Sequence, residues 1–131
     1  MKRIAQKSIE TADCGIACVA MVSNSSYKVV FETLRHIEKD EEFYTRHKDL
    51  IGALKNLGFT ANQKRFKSFR KIKGKAIVAT NKRKDGCWHW VVFDGLSKTP
   101  YIFDPKPEKK GKITDFRGLK GFGNYINVFS T

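Results

Sequence analysis

Cys14, His89 and Asp104 are the side chains of this sequence whose types suit nucleophilic catalysis. A thiolate attacks a carbonyl carbon, an imidazole carries the proton, and a carboxylate fixes the imidazole's tautomer and supports its charged form. Cys14 follows Asp13, a good helix N-cap, and precedes Gly15 and the apolar positions Ile16, Ala17, Val19, Ala20 and Met21. No charge interrupts that run until Lys28. The cysteine therefore stands in the first turn of a buried helix. Free backbone N–H groups and the positive end of the helix dipole favour a thiolate there.

His89 lies in the run Cys87-Trp88-His89-Trp90-Val91-Val92-Phe93. In an extended strand Cys87, His89, Val91 and Phe93 share one face, and Trp88, Trp90 and Val92 share the other. A histidine framed by two tryptophans is at least partly buried, and by itself is more often a satisfied core residue than a base. Asp104 alters that balance. It ends the next strand, where antiparallel pairing brings it beside His89, although alone an Asp-Pro pair reads as a turn. Gly15, Trp88 and Trp90 are the candidate substrate-binding residues beside this trio.

The elements that position these residues fall into two halves. Helices are expected over about 14–23, over 27–38 with Val30, Leu34 and Ile37 on one face, and from the N-cap Thr45 through Leu50, Ile51, Leu54 and Leu57 to Gly58. After Gly58 the period becomes two. Strands are expected over 59–66, 76–79, 87–93, 100–103 and 125–129, with a hairpin turn at Asp85-Gly86. Residues 106–124, rich in Lys and Gly, read as a loop. Helices followed by an antiparallel sheet make an α+β fold, here one domain with a helical lobe over 1–58 and a sheet lobe over 59–131.

Bulk properties exclude several classes. At 131 residues, 40% of them hydrophobic, the chain buries a core without staples. Three cysteines at irregular positions make no disulfide framework and fit a reducing cytosol. The longest apolar run, residues 16–22, is far short of the roughly 20 residues that span a bilayer, so no membrane insertion is expected. No Cys-x-x-Cys pair or phosphate-binding glycine loop is present, so neither metal nor cofactor is expected. Cys18 and Cys87 read as packing residues, His36 and His47 as surface residues. The net charge is +13, and Lys64 to Lys84 holds ten Lys or Arg with no acid, interleaved with Phe66 and Phe69. Such a stretch is either a solvated surface or a face for RNA or an acidic partner protein.

The segments Asp13-Cys14-Gly15-Ile16-Ala17-Cys18, His89-Trp90-Val91-Val92 and Phe103-Asp104-Pro105 resemble, in order and spacing, the bacteriocin-leader-processing peptidases. These are papain-like cysteine peptidases, often fused to export transporters, that cut after a double-glycine leader. The likeness covers residues 5–106. It implies a papain-like fold, Cys14 as nucleophile, His89 as base, Asp104 as orienting acid, and a peptide or protein substrate. It also implies a glutamine six residues ahead of the cysteine as oxyanion donor. Ser8 stands at that position, and Gln6, eight ahead, is the candidate by way of a two-residue bulge, helped by the Cys14 backbone N–H. The expected function is a cysteine peptidase, cytoplasmic and free-standing or part of a larger protein. The competing readings are a papain-like toxin that cuts RNA in a target cell and is neutralised by an acidic immunity protein, and a catalytically silent binding module.

Overall fold

A computed structural model describes residues 1–7, 13–35 and 45–130. Three helices come first: α1 (Cys14–Ser23), α2 (Tyr27–Leu34) and α3 (His47–Asn56). Five strands follow: β1 (Phe59–Arg65), β2 (Lys75–Thr80), β3 (His89–Asp94), β4 (Tyr101–Phe103) and β5 (Asn124–Ser130), with a 3-10 turn at Phe69–Lys71. The sheet is antiparallel throughout, in the order β1-β5-β2-β3-β4. The mixed helix-plus-sheet fold is thus the one the sequence pattern anticipates.

α1 is buried along its whole length, as expected of a helix apolar on every side. It lies between the sheet and the other two helices, touching β2 and β3 as well as α2 and α3. Ile16, Val19 and Ala20 join Leu34, Leu50, Leu54, Ile77, Trp90, Val92 and Ile126 in the core between helices and sheet. Ser26 caps α2, its hydroxyl accepting from the Val29 N–H at 3.2 Å. Residues 36–38, expected to end that helix, lie outside the described residues, as does His36. α3 begins one residue later than expected. Its N-cap is Arg46, whose backbone N–H donates to the Asp49 carboxylate at 3.0 Å. Thr45 is buried instead, and its carbonyl accepts from the Trp90 indole at 3.3 Å. Gly58 closes the helix at φ +91°, a conformation that glycine adopts without strain.

Strand alternation sends Ala76, Val78, Val91, Phe93 and Ile102 to the sheet's other face, under Phe69, Ile72 and Tyr125. Residues 106–123 form no helix or strand, as expected of a loop, yet Ile113, Phe116 and Leu119 pack on this face, and Ile113 exchanges backbone hydrogen bonds with Ile102 at 2.8 and 2.9 Å. Their spacing of three was hidden among lysines and glycines. Phe66 and Phe69, interleaved with the basic residues in sequence, turn inward over the sheet. Phe69 is buried, Phe66 half-buried, and their rings meet each other at 5.1 Å, with Phe69 also 5.2 Å from Phe116. The ten basic residues from Lys64 to Lys84 are exposed except for half-buried Lys75, which leaves a solvated charged surface. Among the described residues no helix is long and apolar enough to cross a membrane.

Candidate active site

Cys14 opens α1, and His89 opens β3, one of the strands on which α1 packs. The backbone at His89 is held by β2: Thr80 is its ladder partner, and the Thr80 hydroxyl donates to the His89 carbonyl at 2.9 Å. Phe103 pairs with Val92 in the last rung between β3 and β4, so Asp104 leaves the ladder one residue on. Its Oδ1 lies 2.7 Å from His89 Nε2, with side chains only 15% (His89) and 4% (Asp104) exposed. The same carboxylate oxygen accepts from the Lys106 N–H at 2.9 Å. With Nε2 engaged by Asp104, Nδ1 is the ring nitrogen left for Cys14, whose side chain hydrogen-bonds the ring.

The charges follow from these contacts. Burial pushes the His89 ring down, but the Asp104 hydrogen bond, then that of Cys14, outweigh it and carry the ring up to about 9. Burial pushes the Asp104 carboxyl up, yet the His89 contact and the Lys106 N–H hold it below its ordinary range. At neutral pH the site therefore contains an imidazolium held by a carboxylate, with a cysteine hydrogen-bonded to the same ring. That is the arrangement a cysteine hydrolase needs.

Residues 2–127 match the profile of the Peptidase C39 family. The chain belongs to the Peptidase C39 family. It is a cysteine peptidase. Its fold is shared with the peptidase domain of Streptococcus ComA, a bifunctional ABC transporter involved in quorum sensing, at TM-score 0.73 and 22% identity, over 98% of this chain and 97% of that one. It is shared equally with a double-glycine-motif protease from an AMS/PCAT transporter, solved in complex with its leader peptide, at TM-score 0.68 and 23% identity, over 99% of this chain and 93% of that one. No curated protein matches in sequence.

The remaining candidates of this C39 chain divide. Gln6 is buried, and its backbone N–H donates to the Pro105 carbonyl at 2.7 Å, so it lies beside the Asp104 segment. Ser8 lies outside the described residues. Asp13 is not a side-chain cap: its carboxylate accepts from the Lys7 N–H at 2.8 Å and the Tyr27 hydroxyl at 2.5 Å, joining the lead-in to α1 and α2. Gly15 packs against α3 and its N-terminal flank. It is buried, and a Cβ there would stand 2.1 Å from Thr45 Oγ1 and 3.1 Å from Leu50 Cδ2, so the glycine lets α1 approach the start of α3. Gly15→Ala is accordingly expected to destabilise the fold by about 1–3 kcal/mol through overpacking. Thermal melts check this, and Thr45→Ala in the same chain should recover part of the loss. Trp90 is also a core residue, 2% exposed. Trp88 is half-buried, edge-on to Trp90 at 5.7 Å and to Phe122 at 5.7 Å, and of these three it alone keeps surface to offer a ligand.

One further expectation is corrected. His47 is not a surface residue: its Nε2 is 2.7 Å from the Asn124 carbonyl and its ring packs 4.9 Å from Trp90. A cavity of about 1060 Å³ lies away from Cys14, His89 and Asp104, on the sheet face lined by Phe66, Phe69, Phe93 and Phe116. Not anticipated from the sequence are the Arg3 bonds to the Asp104 and Lys106 carbonyls, the Tyr27 hydroxyl bond to Asp13 and the Thr80 hydroxyl bond to the His89 carbonyl. These residues carry no motif, because their partners lie far along the chain or belong to the backbone.

Proposed function

We propose that this peptidase cleaves a peptide after a Gly-Gly pair, with Cys14 as nucleophile, His89 as proton carrier, Asp104 as orienting acid and Gln6 as oxyanion donor. The observation that carries the reading is the 2.7 Å bond from His89 Nε2 to Asp104 on a ring that Cys14 also hydrogen-bonds. The sulfur attacks the carbonyl carbon of the second glycine, and the oxyanion that forms is met by the Gln6 amide and the Cys14 N–H, one of the first-turn donors outside the helix ladder. The imidazolium gives its Nδ1 proton to the departing amine, the C–N bond breaks, and a thioester remains. His89, now neutral, takes a proton from water. The resulting hydroxide attacks the thioester, releasing a carboxylate and restoring the thiolate–imidazolium pair.

The substrate class rests on the double-glycine-motif protease solved with its leader peptide, whose fold this chain shares. Incubating the protein with synthetic peptides containing an internal Gly-Gly pair, and weighing the products by mass spectrometry, tests it. Cleavage after the second glycine is expected, with strong loss when that glycine becomes valine. Indifference to the glycine pair would reject the substrate class. Gln6→Ala is expected to lower kcat by roughly 10²–10³-fold with a smaller change in KM, since the donor acts mainly on the developing oxyanion. Steady-state kinetics on the same peptide check this, and an unaltered kcat would remove Gln6 from the oxyanion site.

A further inference from the structure

The loop that carries Asp104 makes hydrogen bonds of its own, from the Lys106 N–H to the Asp104 carboxylate at 2.9 Å and from the Lys109 N–H to the Lys106 carbonyl at 3.0 Å. Pro105 donates no backbone hydrogen bond, and the ladder with β3 has ended at Phe103. Yet three successive carbonyls, those of Asp104, Pro105 and Lys106, are all taken. Arg3 Nη2 donates to the Asp104 carbonyl at 3.0 Å and to the Lys106 carbonyl at 2.7 Å. Between them the Gln6 N–H donates to Pro105 at 2.7 Å. One residue on, the Lys7 N–H reaches Asp13 at the head of α1. Residues 3–7 thus form a strap that touches the acid's loop and the nucleophile's helix in succession.

We propose that Arg3 is a positioning residue for the peptidase reaction, fixing the Asp104 carboxylate against His89 by clamping the backbone on both sides of Pro105. One guanidinium nitrogen carries two hydrogens, which lets it bridge carbonyls two residues apart. Released from it, the loop gains freedom about the Asp104 backbone, and the carboxylate that must meet His89 at 2.7 Å is no longer held there. Small misplacements of an orienting group are expensive in rate. The same strap sets the depth of Gln6, so acid and oxyanion donor share one support. The inference rests on the triad proposed above.

The test compares Arg3→Ala, Arg3→Gln and Arg3→Lys with Arg35→Ala, which removes the same charge from an exposed pair with Glu32. Two readouts are taken: kcat and KM on the Gly-Gly peptide, and titration of the His89 ring by ¹⁵N NMR in the free protein. His89 is faced by Cys14 from α1 and by Asp104, which Lys106 in turn approaches. Arg3→Ala is expected to lower kcat by about 10–100-fold with KM within about threefold, and to move the His89 midpoint from about 9 downward, since burial then acts against a weakened Asp104 contact. Arg3→Lys should recover most of both, and Arg35→Ala should match the parent. An unchanged kcat with an unchanged His89 midpoint overturns the proposal. So does failure of both Arg3→Ala and Arg3→Gln to fold, which would assign Arg3 to stability alone. A shifted His89 midpoint without any Gly-Gly cleavage would uphold the strap and reject the substrate instead.

Discussion

Cys14→Ala leaves the fold intact and abolishes peptide hydrolysis, with kcat/KM falling by at least about 10⁴-fold, because no other group can form the thioester. The substitution removes one buried atom from a side chain 5% exposed, so a melting curve close to the parent's should accompany the loss. Alkylation distinguishes the thiols. Cys18 lies one turn deeper, fully buried, and burial together with the charges of Cys14 and Asp104 pushes its thiol well above the ordinary value. Iodoacetamide at pH 6–7 is therefore expected to label Cys14 and spare Cys18, with loss of activity in step with the label. Peptide mapping reads both. Residual activity above about one per cent in Cys14→Ala would demote the thiol, and the RNA and silent-module alternatives would need to be reopened.

What was legible in the sequence is what local pattern determines. α1 could be read over residues 14–23 because its apolar run admits no surface position, and it spans Cys14–Ser23. His89 and Asp104 could be paired because one opens a strand and the other directly follows the next antiparallel strand, whose register is set by a short connection. Both inferences use near neighbours.

What was not legible depends on contacts between distant parts of the chain. The Arg3 bonds to Asp104 and Lys106 span separations of 101 and 103 residues, and nothing in Met1-Lys2-Arg3 announces them. Asp13 looked like a cap because aspartate before a helix usually is one, whereas its carboxylate serves Lys7 and Tyr27. Trp90 and Gly15 looked like site residues because they adjoin His89 and Cys14. Adjacency in sequence says nothing about direction: one side chain enters the core, and the other position is glycine because Thr45 occupies the space. The basic run is a different case, since Phe66 and Phe69 fall where the chain turns inward over the sheet. Charge pattern locates a surface; it does not say which aromatic residues share it.

Asp104→Asn is the second substitution of large effect, and it separates geometry from charge. Asparagine keeps the shape and an oxygen that can accept from Nε2, but it holds no negative charge against the imidazolium. The largest upward influence on His89 is then lost while burial remains, so the ring must fall from about 9 toward or below its ordinary 6.5. We expect kcat/KM to drop on the order of 10³-fold at pH 7, with the alkaline limb of its pH profile moving down from near 9. Stability should follow the same groups. A ring raised in the folded state stabilises fully below about 6.5 and loses that contribution as pH rises through about 9. A carboxyl lowered in the folded state stabilises above its ordinary 3.8 and loses that contribution as pH falls through its folded value. The parent should therefore melt highest between about pH 4 and 6.5 and decline toward pH 9.5, and Asp104→Asn should flatten that decline. Identical slopes in the two proteins from pH 6.5 to 9.5 would mean that Asp104 does not hold the His89 proton, and the ion pair would lose its place in the mechanism even if the 2.7 Å contact were confirmed.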